Sequence, residues 1–103
     1  MFGNFTHVKK AAQLLKAVGN PHRLQILTHL ISGEKNVGEI NAEVDVSQPA
    51  LSQHLARMRA AGILSSRRDQ RQIYYSISDA QVLRALEIIA RITSPAENKK
   101  SNA

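Results

Sequence analysis

The sequence predicts a single, mainly helical domain that carries one small β-hairpin. Three observations lead there. Apolar residues recur at helical spacing through most of the chain. The period switches to strict alternation once, after Gly62. With 103 residues there is room for one domain and no second. We expect that domain to span residues 1–95 and residues 96–103 to form a polar, disordered tail. A chain of this length buries only about two-thirds of its unfolded surface, so pairing with a second copy would help its thin core.

The elements follow in order. From Thr6 to Val18, the residues Val8, Ala11, Ala12, Leu14, Leu15 and Val18 keep the spacing of an amphipathic helix. Gly19 is expected to end it by adopting a positive φ. Asn20 caps a second helix with Pro21 at its first position. Its residues Leu24, Ile26, Leu27, Leu30 and Ile31 cover more than one face, which marks it as the buried centre. Asn36 caps a short helix reaching about Glu43, with Val37, Ile40 and Val44 inside. After the tight connection Asp45-Val46, Ser47 caps a longer helix running to Ala61, and Gly62 lies just past its end. Pro49 falls in the first turn, where a missing N–H costs nothing. Residues 63–68 and Gln72 to Ile77 then read as two strands joined at Asp69-Gln70-Arg71. Tyr74 and Tyr75 point to opposite strand faces, so at most one packs inward. Ser78 or Asp79 caps a last helix from Ala80 to about Thr93, stopped by Ser94-Pro95. Apolar residues occupy most of its circumference, more than one thin domain can cover, and that implies a subunit interface.

Charge narrows the function. Lys and Arg total 14 against 8 Asp and Glu, a net +6. Acids gather at Glu39, Glu43 and Asp45, whereas Arg57, Arg59, Arg67, Arg68 and Arg71 face one acid, Asp69. Arginine is preferred where planar contacts to phosphate or base edges matter. A polyanionic partner follows, nucleic acid ahead of a membrane surface. No apolar run approaches the roughly 20 residues of a membrane span, and Met1 to Lys10 lacks the pattern of a secretory signal. The expected location is cytoplasmic. The absence of cysteine excludes disulfides, thiolate metal sites and thiol nucleophiles. No Ser/His/Asp grouping, Gly-rich phosphate loop or paired carboxylates points to an enzyme.

A short helix joined by a tight turn to a second helix is a helix-turn-helix, and the basic hairpin after it would be a wing. On the helix from Ser47, Leu51, Leu55 and Met58 share the inward face. Pro49, Gln53, Ala56 and Ala60 lie opposite, flanked by Ala50, Ser52 and Arg57. An ordinary exposed face is filled with Glu and Lys, and this helix has neither. Small residues allow close approach within the roughly 12 Å major groove, and Gln and Arg supply base-reading donors. Free N–H groups at the helix start suit a phosphate. The predicted double-stranded DNA contacts are therefore Ser47, Gln48, Pro49, Ala50, Ser52, Gln53, His54 and Arg57, with Arg67, Arg68, Arg71 and Gln72 on the wing. His54, at the flank, contacts phosphate or packs against the body. The alternative is a winged-helix interaction module whose arginines dock an acidic protein.

The stretch from Asn20 to Leu27, Val37-Gly38-Glu39-Ile40, the run Val46-Ser47-Gln48-Pro49-Ala50-Leu51-Ser52-Gln53-His54-Leu55, and Leu64 through Tyr75 resemble the ArsR/SmtB family of winged helix-turn-helix repressors. The resemblance covers roughly residues 8 to 93 and is closest to the HlyU-like, sulfide- and redox-responsive branch. It implies a homodimer built on the first and last helices, here Val8, Ala11 and Leu15 with Val82, Leu86, Ile89 and Ile92. It also implies binding to an inverted-repeat operator and release when an effector arrives. The family's sensing residues are missing. The short helix has no thiolate, the last helix has no histidine, and the redox pair falls by rough alignment at Asn41 and Ser94. His22 and His29 lie seven apart, about 10 Å along a helix, too far to chelate one ion. No metal and no cofactor are expected, and the effector stays open.

Overall fold

The computed structural model describes residues 1–95; the tail expected at 96–103 lies outside the described residues. Local capping chemistry sets where the helices begin. Asn4 accepts from the His7 N–H and starts α1, Phe5–Val18. Asn20 accepts from the N–H groups of His22 and Arg23 and starts α2, Pro21–Leu30. Asn36 and Glu39 form a reciprocal capping box at α3, Val37–Glu43. Ser47 caps α4, Gln48–Ala60, and Asp79 caps α5, Ala80–Thr93. Each such cap is worth about 1 kcal/mol.

Two strands, Leu64–Asp69 and Gln72–Ile77, form the expected antiparallel hairpin, but the sheet has a third member. Lys35–Asn36 pairs with Tyr75 and Tyr74, so in chain order these are β1 (Lys35–Asn36), β2 (Leu64–Asp69) and β3 (Gln72–Ile77), arranged β1-β3-β2. A two-residue strand carries no readable period, which is why the sequence shows only two. β1 anchors the wing's base against the start of α3.

Ile26, Leu27, Ile40, Leu51, Leu55, Met58 and Ile63 are essentially sealed from solvent and, with Leu64 of β2, join α2, α3, α4 and β2 into one core. Ile31 does not join them; it is 43% exposed beyond the end of α2. Gly19 does end α1, but at φ −79°, not in the left-handed region. Glycine is needed there because a Cβ would sit 3.0 Å from the Leu15 carbonyl oxygen. At the end of α4 it is Gly62 that takes the left-handed conformation, at φ +79°. Around it the Gly62 N–H donates to Arg59 O and the Ile63 N–H to Met58 O, each at 3.0 Å. This closes α4 and launches the wing from its end.

The hairpin turns through Gln70-Arg71, since Asp69 and Gln72 are its last pair. Gln70 takes φ +59° without being glycine. Gln70→Gly is expected to stabilise the fold by about 0.5–1 kcal/mol through relief of that strain. Urea denaturation checks this, and a midpoint unchanged or lowered would contradict it.

Candidate nucleic-acid interface

α4 places its two faces as the spacing requires. Leu51, Leu55 and Met58 are buried, while Gln48, Pro49, Ser52, Gln53, Ala56, Arg57 and Ala60 are exposed. Ala50 is half-buried at the edge. The outer surface is thus small and amide-bearing, with arginine at its border. The helix start offers less than expected. Pro49 has no N–H, and the Ala50 N–H donates to Ser47 Oγ at 3.2 Å. Of the first three backbone amides, that of Gln48 remains for a phosphate. The turn before α4 is fixed by Asn41, whose side-chain amide donates to Val46 O at 3.0 Å.

On the wing, Arg68, Arg71 and Gln72 cluster at the exposed tip, with Arg68 Nε donating to Gln70 O at 3.1 Å. Arg67 is different from expectation. Its guanidinium grips both carboxylate oxygens of Glu34, with Nε at 3.1 and 2.9 Å, and sits 4.6 Å from the centre of the Tyr74 ring. That hydrogen bonding pulls the Glu34 carboxyl below its usual value and pushes Arg67 still higher. Arg67 therefore braces the wing against the segment before β1, with its side chain still about half exposed. Tyr75 packs on the core, and Tyr74 lies under Arg67.

His54 also departs from a plain surface contact. It is half-buried, with Nδ1 3.3 Å from Arg23 Nη1 and its ring 6.0 Å from that of His22. Burial first, then the charges of Arg23, His22 and Arg57, hold its pKa below the usual histidine value. An unfolded chain would take up the proton first, near pH 6.5. His54 thus contributes stability that is present above about pH 6.5 and is lost as pH falls through its lower folded value. His54→Asn should flatten that part of the stability profile between pH 7.5 and 5.5, as read by urea midpoints. An unchanged slope would contradict it.

Away from α4, two helices present apolar residues to solvent. Val8 is 41% and Leu15 60% exposed on α1, beside Phe5; on α5, Ile88 is 54% and Ile92 66% exposed. Ala11 and Ile89 are half-buried at the edges of these faces. Two expected interface residues turn inward instead: Leu86 is buried in the protomer's own core, and Val82 packs against that core. Their heptad-like spacing with Ile89 and Ile92 does not show which side of α5 meets β3. Ile88, one turn before Ile92, lies on the exposed side of α5 with it.

Asn41 and Ser94 sit on separate elements, Asn41 in α3 and Ser94 at the end of α5 beside Ile31, Glu87, Ala90 and Arg91. Among the described residues, no group of three or more His, Asp or Glu is placed to hold a metal ion. None of their helices is long and apolar enough to cross a membrane.

Residues 20–66, which hold α2 through the start of the wing, match the family described as bacterial regulatory protein, arsR family. Over 83 residues the chain is 41% identical to the transcriptional activator HlyU of Vibrio cholerae, covering 81% of this chain and 77% of that one. The chain belongs to the ArsR family. Among solved structures, this ArsR-family chain is similar to NolR from Sinorhizobium fredii, with a TM-score of 0.79 at 42% identity over 86% of this chain and 89% of that one. It is also similar to a homodimeric winged helix-turn-helix DNA-binding domain from Mycobacterium bovis, a possible ArsR-family transcriptional regulator. There the TM-score is 0.80 at 27% identity, covering 89% of each chain. The winged helix-turn-helix fold of this ArsR regulator is thus shared with a solved relative, and the proteins it is similar to include a transcriptional activator and a biofilm growth-associated repressor.

Proposed function

We propose that two copies of this chain bind an inverted-repeat operator in double-stranded DNA and repress transcription there. The outer face of α4 carries the reading: small residues, Gln48, Ser52 and Gln53, and no acid from Gln48 to Ala60. Pairing through the exposed faces of α1 and α5 brings a second α4 into play. Two such helices about 34 Å apart enter successive major grooves. Gln53 serves as a base reader, since an amide side chain matches adenine in the major groove. Arg68 and Arg71 hold the flanking backbone or enter the minor groove from the wing tip.

A gel-shift titration on the DNA flanking the chain's own gene, across a salt series, tests this. Gln53→Ala is expected to cost about 1–3 kcal/mol on the operator and to relax preference at one position of each half-site. Arg71→Ala should weaken specific and random duplexes alike and lower the salt slope by about one. Equal losses on both duplexes for Gln53→Ala would remove its base-reading role. No shift at low salt would favour docking of an acidic protein instead.

A further inference from the structure

Arg23 is a buried cation, and among the described residues no carboxylate pairs with it. It is 8% exposed, turned inward by its spacing with Ile26, Leu27 and Leu30 on α2. Arginine is rarely buried unless its donors are met. Two of them reach the last turn of α1, with Nε donating to Ala17 O at 2.6 Å and Nη2 to Lys16 O at 3.3 Å. Those carbonyls lie at the negative end of the helix and lack intrahelical partners. The remaining nitrogen, Nη1, lies 3.3 Å from His54 Nδ1 on the recognition helix. A guanidinium has donors only, so Nδ1 has to be the acceptor. A neutral imidazole accepting at Nδ1 carries its proton on Nε2.

We propose that Arg23 is a positioning residue that fixes the His54 tautomer, so that the recognition helix meets DNA at that point with an Nε2–H donor. This rests on the reading of α4 as the DNA-facing helix. The complementary group is a hydrogen-bond acceptor: a purine N7, a carbonyl oxygen on a base edge, or a phosphate oxygen. It excludes the cytosine amino group. The charged and titratable groups facing His54 are Arg23 and His22 from α2 and Arg57 from α4. None of these favours an imidazolium, so the donor is neutral. The same guanidinium ties the end of α1 to α4, which makes the tautomer depend on where α1 is seated.

The test begins with the whole 103-residue chain free of DNA. Long-range 1H–15N spectra are expected to show His54 with Nδ1 bare and Nε2 protonated, holding from pH 8 to below 6.5. A proton on Nδ1, or an imidazolium at pH 7, would overturn the proposal. Arg23→Met should return His54 to a mixture of tautomers and an ordinary titration. Two substitutions at His54 keep the test decisive where Arg23→Met fails to fold. His54→Asn retains an acceptor near Arg23 but lacks the distal donor, and operator affinity should fall about tenfold. His54→Gln places an amide N–H near the site of Nε2 and should stay within about threefold of the parent. Parental affinity in His54→Asn, with the parent itself binding the operator, would sink this inference alone. Failure of the parent to bind any duplex would sink the DNA reading instead, while the spectra still report the tautomer.

Discussion

Replacing Ile88 and Ile92 together by aspartate is expected to leave a folded protomer that neither pairs nor binds its operator. Both side chains are more than half exposed, so neither supports the protomer's own core. α5 is held to the body by its other side, through Leu86 and Val82. Burial of an isoleucine contributes about 1.5–3 kcal/mol, and a two-fold interface holds two copies of each residue. Aspartate removes that gain and adds like charges facing each other. The dimer dissociation constant should rise by at least a thousandfold, the equivalent of about 4 kcal/mol of lost affinity. Operator binding should weaken by a hundredfold or more, because a lone protomer reads one half-site. Sedimentation equilibrium and gel shifts read the two effects, with helical circular dichroism as the control for folding. A persistent dimer would remove α5 from the interface.

Leu51→Ala is expected to be among the most destabilising single changes in the chain. Leu51 is 0% exposed and lies with Leu55 and Met58 on the buried face of α4. Leucine-to-alanine changes at such sites cost about 2–5 kcal/mol, because the cavity closes only partly. A domain of this size has roughly 5–15 kcal/mol in total, so the melting temperature should fall by well over 10 °C. Ser52→Ala, one residue along and fully on the outer face, should stay within about 0.5 kcal/mol. Thermal melts of the two proteins side by side measure the contrast. Comparable losses would mean that α4 is rotated from the orientation described.

Much of this architecture is legible in the residues because its determinants are local. Asn20, Asn36, Ser47 and Asp79 each bond amides two or three positions on, within the span a sequence pattern covers. The inward stripe of α4 is likewise set by its own spacing. What escaped the sequence depends on distant partners. Glu34 and Arg67 are 33 positions apart, and Arg23 and His54 are 31 apart, so neither pair leaves a local signature. For Arg23 there was a sign: it keeps core spacing with Ile26 and Leu30, a position where a charge needs a reason. The wing arginines looked equivalent in sequence, yet register puts Arg67 opposite Tyr74 beside Glu34 and leaves Arg68 and Arg71 at the tip. The apolar surplus of α5 was visible, but which of its sides meets β3 was not.

Titration of 15N-labelled protein with the duplex flanking its own gene tests most directly whether the outer face of α4 reads DNA. The expected amide shifts centre on Gln48 to Arg57 and on Arg68 to Gln72, saturate at one duplex per dimer, and leave Ile88 and Ile92 unmoved. Saturation with Ser52 and Gln53 unperturbed, or shifts confined to α1 and α5, would contradict the account.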